Sequence, residues 1–218
     1  MRTSTAIVSA ALPPLALAVL GTSHPMVLTP DSATWWRDLH IIGLVAFPLL
    51  ALGPWAVTRS ARVGLPRVTG RVLEAVVVVL GLIYAGFYTA LDSLAGIGGG
   101  ATTLALGPGP WVSALFGIAD VVALPGVYAY LAATVLAAVL GVVVAPGAWR
   151  LPAVAGGVVA VGGAWWFLTS HIYYPYGVAT MVALAVGHTA LAVATTRRRP
   201  TGVGDAAPRH AAQPLTAP

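Results

Sequence analysis

Long apolar runs, separated by short connections rich in Gly, Pro, Arg or Ser, make up most of the chain. The runs are continuously apolar instead of alternating, as a membrane β-barrel would require, and each has the length of a membrane-crossing helix. We place six spans at about 5–21, 33–57, 72–97, 121–145, 151–168 and 176–196. The pattern predicts an all-α fold, a polytopic transmembrane helical bundle over residues 1–199.

Three stretches fit this pattern less simply. Residues 111–145 exceed one crossing and contain Pro125, which predicts either a long kinked helix or an interfacial segment before the span. The glycine run 98–100 is expected to leave the membrane into an outer turn near 98–110. Residues 200–218 lack periodicity and predict a disordered cytoplasmic tail.

Charge placement gives the predicted orientation. Only 8% of the residues are charged and the mean hydropathy is +0.89, whereas soluble domains carry about a quarter charged residues. All 11 cationic residues are arginines, and all except Arg37 fall on one side of the six-span path. The positive-inside rule makes that side cytoplasmic. We therefore expect three out-and-back hairpins in the plasma membrane, with both termini cytoplasmic.

The net charge of +5 is thus explained by membrane topology and gives no reason to expect a nucleic-acid partner. The lipid bilayer is the predicted partner, and the oligomeric state stays open. The first span has a second interpretation as a cleaved signal peptide. Pro13 and Pro14 interrupt its apolar run and no polar cleavage region comes after it, which favours a retained span.

Asp92 and Asp120 each lie at one end of a helical stripe that also contains tyrosine. Tyr84, Tyr88 and Asp92 recur every four residues and so share one helix face. The next segment repeats this spacing in Asp120, Leu124 and Tyr128. If the stripes face each other, the two carboxylates meet above a tyrosine-lined interior and hold a proton or cation between them. A solvated helix-end position is the alternative, and it is favoured for Asp120.

The histidines suggest a metal site, whereas the absence of cysteine excludes thiolate ligands and disulfides. Two similar triplets, Thr22-Ser23-His24 and Thr169-Ser170-His171, fall in outer turns, through either a decayed duplication or chance. Imidazole and carboxylate suit a divalent transition metal, and the predicted ligands are His24, His171 and Asp92, with His40 as a further candidate. No H-x-x-x-H spacing is present, so such a site depends on tertiary assembly, and solvated, inert histidines are the alternative.

Haem is disfavoured because the two span histidines, His40 and His188, differ in predicted depth. The residues expected to line a ligand pocket are Tyr84, Tyr88, Tyr128, Asp38, His40 and Trp166. Arg37 and Asp38 are adjacent on a helix and point about 100° apart, so no pair between them is expected.

These residues suggest three functions. The favoured one is an outward-facing intramembrane His/Asp/Tyr pocket that binds a small ligand or metal ion. The second is an intramembrane enzyme, cyclase- or isomerase-like, in which Asp92 or Asp120 is the general acid on a lipophilic substrate. The third is a small-solute transporter or transporter subunit. It is disfavoured because the cytoplasmic half offers few polar groups besides Glu74 and His188.

Overall fold

The computed structural model describes residues 1–197, and this part of the chain is all-helical. It contains six helices long and apolar enough to cross a membrane, which confirms the all-α class and the number of spans. These spans are Thr3–Gly21, Ala33–Gly64, Arg67–Leu106, Pro110–Val144, Gly147–Ser170 and Tyr176–Thr196. The predicted tail at 200–218 lies outside the described residues.

Four spans are single α-helices and two are composite. The single helices are α1 (Thr3–Gly21), α6 (Pro110–Val144), α7 (Gly147–Ser170) and α8 (Tyr176–Thr196). The second span runs from α2 (Ala33–Ala46) through a 3₁₀ turn (Pro48–Ala51) into α3 (Leu52–Ala61) and a last 3₁₀ turn (Arg62–Gly64). Pro48 has no N–H to continue the α-helical ladder, which accounts for the first 3₁₀ turn.

The third span changes helix type partway. It consists of α4 (Arg67–Leu91), a π-helical segment (Asp92–Gly98, here the π segment) and α5 (Gly99–Leu106). The predicted outer turn at 98–110 is therefore wrong in extent, because the glycine run continues the helix and only residues 107–109 form the turn. Gly107 takes a φ of 76°, a left-handed conformation that glycine adopts without steric penalty.

The fourth span is one continuous helix from Pro110, with Pro125 inside it. This is the long-helix alternative, in place of a separate segment followed by a span from residue 121. The inward side of α6 carries small residues, among them Ala119, Ala123 and Gly126. Small side chains let neighbouring backbones approach closely, and here α4 and α7 pack against α6.

The core differs between the two ends of the bundle. One end holds an aromatic-rich cluster that includes Phe47, Tyr84, Tyr88, Tyr130 and Phe167. The other end holds an alanine-rich cluster where α7 and α8 pack closely. Large rings leave irregular space between helices, whereas alanines do not. Each end also has a cavity, of about 260 Å³ beside the aromatic residues and about 480 Å³ at the other end, where Ser60, Arg150 and Thr195 are among the lining residues.

We name the two ends by their polar residues. The histidine end contains His24, His40 and His171, whose rings contact one another. The arginine end contains Arg59 and Arg62, whose guanidinium groups bind Glu74 at N–O distances of 3.0 and 2.6 Å. These ion pairs join the end of the second span to the beginning of the third.

Candidate functional site

Three histidines from separate parts of the chain converge at the histidine end. His24 lies in the connection after α1, His40 lies on α2, and His171 lies in the turn after α7. One ligand-capable nitrogen from each ring lies within 4.8 Å of those from the other two. The ring centroids are 5.1 Å apart for His24 and His40, 5.4 Å for His24 and His171, and 5.7 Å for His40 and His171. We call this group the histidine cluster.

Each ring of the cluster uses its Nδ1 atom in a hydrogen bond. Nδ1 of His24 donates to the carbonyl of Pro25 at 2.7 Å, and Nδ1 of His40 donates to the carbonyl of Trp36 at 2.7 Å. Nδ1 of His171 bonds to the hydroxyl of Tyr88 at 2.5 Å. A carbonyl can only accept, so these bonds fix the proton of His24 and His40 on Nδ1 and leave the lone pair on Nε2.

The second ring nitrogens remain available. The Nε2 atoms of His24 and His171 are buried and have no hydrogen-bond partner among the described residues. Buried polar atoms normally have such a partner, and an unpartnered one requires an explanation. Metal-ligating histidines characteristically have one nitrogen on the metal and the other bonded to a carbonyl or a similar group. In the cluster, Nδ1 of all three rings is hydrogen-bonded to a carbonyl or hydroxyl oxygen, as in such metal sites.

Electrostatics keep the two loop histidines neutral at pH 7. Burial lowers the pKa of His24 to about 4, although its bond to the Pro25 carbonyl opposes the effect, and neighbouring His40 lowers the pKa further. Burial also holds the pKa of His171 well below its usual range, with additional effects of His40 and His24. A neutral imidazole is the form that binds a metal, so the site is in its binding form at pH 7.

His171 has a backbone conformation that is unusual for a residue other than glycine. Its φ is 44° and its ψ is −131°. Such conformations cost about 1–3 kcal/mol each and concentrate at functional sites. The turn is held by its surroundings, since Ile172 is fully buried beneath the ends of α1 and α8. The fold therefore accepts local strain in order to direct this imidazole at the other two.

The π segment brings the third span against His40. A Cβ atom at Gly96 would lie 2.5 Å from Cβ of His40 and closer still to its Cγ. Only glycine allows this approach, because both contacts involve atoms next to the His40 backbone. Trp36 completes the surroundings of the ring by stacking on it at 5.2 Å and donating from Nε1 to the carbonyl of Ala95 at 3.1 Å.

Asp92 is fully buried but lies outside the histidine cluster. It is 0% exposed, and neither carboxylate oxygen has a hydrogen-bond partner among the described residues. Its Oδ2 atom lies 2.7 Å from the place where a Cβ of Gly43 would be, one turn along α2 from His40. The predicted ligand set of His24, His171 and Asp92 thus differs from the group that the fold assembles, in which His40 is the third member.

The two predicted stripes do not face each other as expected. Tyr84 and Tyr88 are buried, but Tyr128 is 54% exposed, and the inward place on α6 belongs to Tyr130. Trp166, which was also predicted to line a pocket, is 59% exposed and stacks on Tyr176. The third span turns its stripe inward, whereas α6 turns Asp120 and Tyr128 outward, so the two stripes do not face each other.

Three other predicted residues lie at the edges of the site or away from it. Asp38 pairs with its neighbour Arg37 at 2.7 Å, contrary to the expectation, because the long arginine side chain folds back over one residue. Asp120 is exposed but lines a cavity beside the cluster. His188 lies near Tyr130 and Gly53, away from the cluster and from His40.

A cavity of about 260 Å³ adjoins the cluster. His171 and Tyr88 form part of its wall, and Trp36, Phe116 and Phe167 supply aromatic surface. Asp92 is not among the described residues that line it, so the geometry gives no support to Asp92 as a general acid on a ligand there. Of the three histidines, only His171 is among the described residues that line the cavity.

Sequence reasoning missed the parts played by Trp36 and Tyr173. Trp36 precedes His40 by four residues, a spacing that places both on one helix face. The ring of Tyr173 contacts the ring of His24, with 4.6 Å between the ring centroids, and Tyr173 also lines the cavity. Burial raises its pKa to about 12, and the carboxylates of Asp120 and Asp92 contribute to that rise. No sequence signal separates Tyr173 from an ordinary interfacial tyrosine.

No protein-family model, curated protein or solved structure matches the chain. Fold and site therefore define its class by themselves. Over residues 1–197 the protein is all-helical, with six helices long and apolar enough to span a membrane and a three-histidine cluster at one end.

Proposed function

We propose that the protein binds one divalent transition-metal ion through Nε2 of His24, His40 and His171. The observation that carries this proposal is the hydrogen bonding of the cluster, in which every Nδ1 is occupied while the Nε2 atoms of His24 and His171 are buried without partners among the described residues. Imidazole ligands suit zinc, copper, iron and nickel. Neutral rings at pH 7 support the same conclusion.

The dimensions of the cluster are close to those of a metal site. Zn–N bonds of about 2.0–2.1 Å in a tetrahedral site place ligand nitrogens about 3.3 Å apart. One nitrogen from each ring lies within 4.8 Å of those from the other two, so the rings must draw together by up to about 1.5 Å to reach ligand distance. With three protein ligands, a tetrahedral ion keeps one position for water or another molecule, as in catalytic zinc sites.

Tyr88 supports the site through His171. A neutral His171 that binds metal through Nε2 carries its proton on Nδ1 and donates it to the Tyr88 oxygen, 2.5 Å away. Partners of this kind orient the ring and typically account for about 10–100-fold in metal affinity.

The metal site belongs, in this proposal, to the extracytoplasmic side of the plasma membrane. The described arginines other than Arg37 gather at the other end, which the positive-inside rule assigns to the cytoplasm together with both chain termini. The site then takes its ion from outside the cell.

The test is metal titration of the purified full chain in detergent, with bound metal measured by elemental analysis after dialysis and Co²⁺ as a spectroscopic probe. We expect one ion per chain. His24→Ala and His171→Ala should each weaken binding at least about 100-fold. Each removes a metal ligand, and loss of a residue that only supports a ligand already costs about 10–100-fold in affinity. His188→Gln is the matched control, since it alters a buried histidine outside the cluster and should leave affinity unchanged.

A second pair of variants tests the supporting bond. Tyr88→Phe should lower affinity about 10–100-fold, whereas Tyr84→Phe, whose hydroxyl bonds only to the Phe47 carbonyl among the described residues, should have little effect. The proposal is wrong if the wild type binds no ion. It is equally wrong if His24→Ala and His188→Gln bind metal alike while both keep their helical circular dichroism.

A further inference from the structure

The larger cavity, of about 480 Å³, lies at the arginine end, away from the histidine cluster. It is enclosed by the end of the second span, the turn from α6 to α7 and the end of α8, since Gly64, Pro146 and Thr196 are among its lining residues. Two arginines line it as well, Arg150 in the first turn of α7 and Arg197 directly after α8. The fold thus brings two cations that are far apart in the sequence to one cavity.

These two arginines have no carboxylate partner among residues 1–197. Glu74, at the same end, is already bound by Arg59 and Arg62, and no Asp or Glu is among the described residues that line the cavity. The guanidinium of Arg197 lies over the Trp149 ring, 5.0 Å from its centroid, and this cation–π contact holds it in place. Two cations fixed beside one cavity favour an anion between them.

The helix ends around the cavity reduce this positive charge without reversing it. The second span, α6 and α8 end there, and the last carbonyls of each carry about half a negative charge, whereas the first turn of α7 carries about half a positive charge. With the two guanidinium groups, about one net positive charge remains. The hydroxyls of Ser60, Thr195 and Thr196 donate to carbonyls of their own helices, so the guanidinium groups are the side-chain donors left for a ligand.

An apolar groove of about 490 Å³ adjoins this cavity and lies between α6 and α7. Only valine, alanine and glycine are among its described lining residues. Ala138 and Gly157 form its floor, where a Cβ on the glycine would lie 3.3 Å from Cβ of the alanine. Exposed valines at four-residue spacing form a ridge on each side, namely Val135, Val139 and Val143 on α6 and Val154 and Val158 on α7. Val143 lines both the groove and the cavity, so the two spaces meet.

We propose that the cavity and the groove together bind one anionic phospholipid, with its phosphate between Arg150 and Arg197 and an acyl chain along the groove. The guanidinium fork matches phosphate oxygens, and basic pockets between membrane helices bind acidic headgroups. A zwitterionic lipid is disfavoured, because its ammonium would meet two cations and no carboxylate among the described lining residues. The groove favours a lipid over free phosphate, because only the lipid has a chain that covers the apolar ridges.

This lipid site goes beyond the proposed metal site and shares no residue with it. A lipid bound there contacts the second span, α6, α7 and α8 at once. Because a ligand of the folded state adds to its stability, the lipid holds these four spans together at the arginine end.

The test is native mass spectrometry of the full chain in detergent, titrated with phosphatidylglycerol and with phosphatidylcholine of the same acyl chains. We expect one phosphatidylglycerol per chain, bound at least about tenfold more tightly than phosphatidylcholine, equivalent to about 1.4 kcal/mol. Inorganic phosphate at the same concentration should not displace it. Phosphatidylglycerol should also raise the unfolding temperature more than phosphatidylcholine does.

Two pairs of arginine substitutions test the headgroup site. Arg150→Gln combined with Arg197→Gln should raise the Kd for phosphatidylglycerol at least about tenfold, because it removes both cations from the cavity. Arg67→Gln combined with Arg71→Gln is the matched control. It removes the same charge from the same end, but these exposed residues do not line the cavity, so the Kd should stay within about twofold.

Two tryptophan variants on α6 test the groove. Val139→Trp places an indole over the groove and should raise the Kd for phosphatidylglycerol at least about fivefold. Val121→Trp lies about five turns away on the same helix face. It is also exposed but does not line the groove, so it should leave the Kd within about twofold. Helical circular dichroism should be unchanged in both variants.

Each possible failure has a distinct meaning. If the wild type binds the two lipids equally, or if the two arginine pairs weaken binding alike, the cavity is not an acidic headgroup site. If inorganic phosphate displaces the lipid, or if Val139→Trp and Val121→Trp behave alike, the site takes free phosphate and the lipid assignment is wrong. None of these results bears on the metal site, and a wild type that binds no metal leaves the lipid site standing.

Discussion

His24 shows how burial changes the response of a cluster histidine to acid. Its imidazole is 5% exposed, and no carboxylate is among the groups that shift its pKa. Burial disfavours the charged ring and His40 adds to this, so the proton is held only weakly. The burial that keeps the His24 ring neutral, the form that binds a metal, also prevents the ring from titrating near neutral pH.

We expect His24 in the metal-free protein to stay neutral as the pH falls, with a pKa of about 4, compared with 6.5 for an unfolded histidine. Between these values only the unfolded chain takes up the proton. Stability therefore decreases as the pH falls through this window, by up to about 1.4 kcal/mol for each pH unit. Histidine ¹⁵N NMR measures the titration midpoint, and the His24→Gln spectrum identifies the signal. A midpoint near that of an unfolded histidine would contradict the buried geometry.

The π segment is the helical element that builds the site. A π turn adds a residue to the helical repeat and shifts the register of the residues after it. In this protein it begins directly after the tyrosine-bearing end of α4, and it contains the glycine at position 96 that meets His40. The same span thus directs Tyr88 at His171 and Gly96 at His40.

Gly96→Ala tests that contact. The new Cβ would overlap the His40 ring, so either α2 or the π segment must move, and we expect a loss of about 1–3 kcal/mol in stability. Co²⁺ binding should weaken as well, because His40 is displaced. Thermal unfolding followed by circular dichroism, and Co²⁺ titration, measure the two effects.

Gly86→Ala is the matched control in the same span. A Cβ there meets nothing within 4 Å, and replacing a helical glycine by alanine stabilises a helix by up to about 1 kcal/mol. The control should therefore be neutral or more stable and should bind metal normally. Equal behaviour of the two variants would show that the close approach at Gly96 has no part in holding His40.

The whole molecule separates its polar chemistry between two ends. Ion pairs of arginine with Glu74 hold the arginine end, and neutral imidazoles with buried aromatic residues occupy the histidine end. The chain contains no cysteine, so a single introduced cysteine reports its own location.

We expect Tyr174→Cys, in the exposed turn at the histidine end, to react with a membrane-impermeant maleimide in intact cells. Val63→Cys, similarly exposed at the arginine end, should react only after the membrane is permeabilised. The unmodified chain is the blank. Labelling of Val63→Cys but not Tyr174→Cys in intact cells would reverse the proposed orientation and place the metal site in the cytoplasm.

The helical class, the six spans and the grouping of His24 with His171 at one end of the bundle could all be predicted from the sequence. The length of an apolar run identifies a span, and each span reverses the direction of the chain. The number of spans before a polar residue therefore decides at which end of the bundle the residue lies. Crossing number alone brings His24 and His171 to one end, without knowledge of any contact. Helical spacing also places Tyr88 on one face with Asp92, because it is a local property.

The tertiary structure alone decided which side chains meet. Helix rotation turned Tyr128 and Trp166 outward and Tyr130 inward, and the π segment carried Gly96 onto His40, making His40 the third histidine of the cluster. In a helix that is apolar all round, hydrophobic periodicity does not specify a buried face. Close packing against the neighbouring helices sets the rotation instead. The sequence by itself therefore determined the helices and their order along the bundle, and packing determined the site.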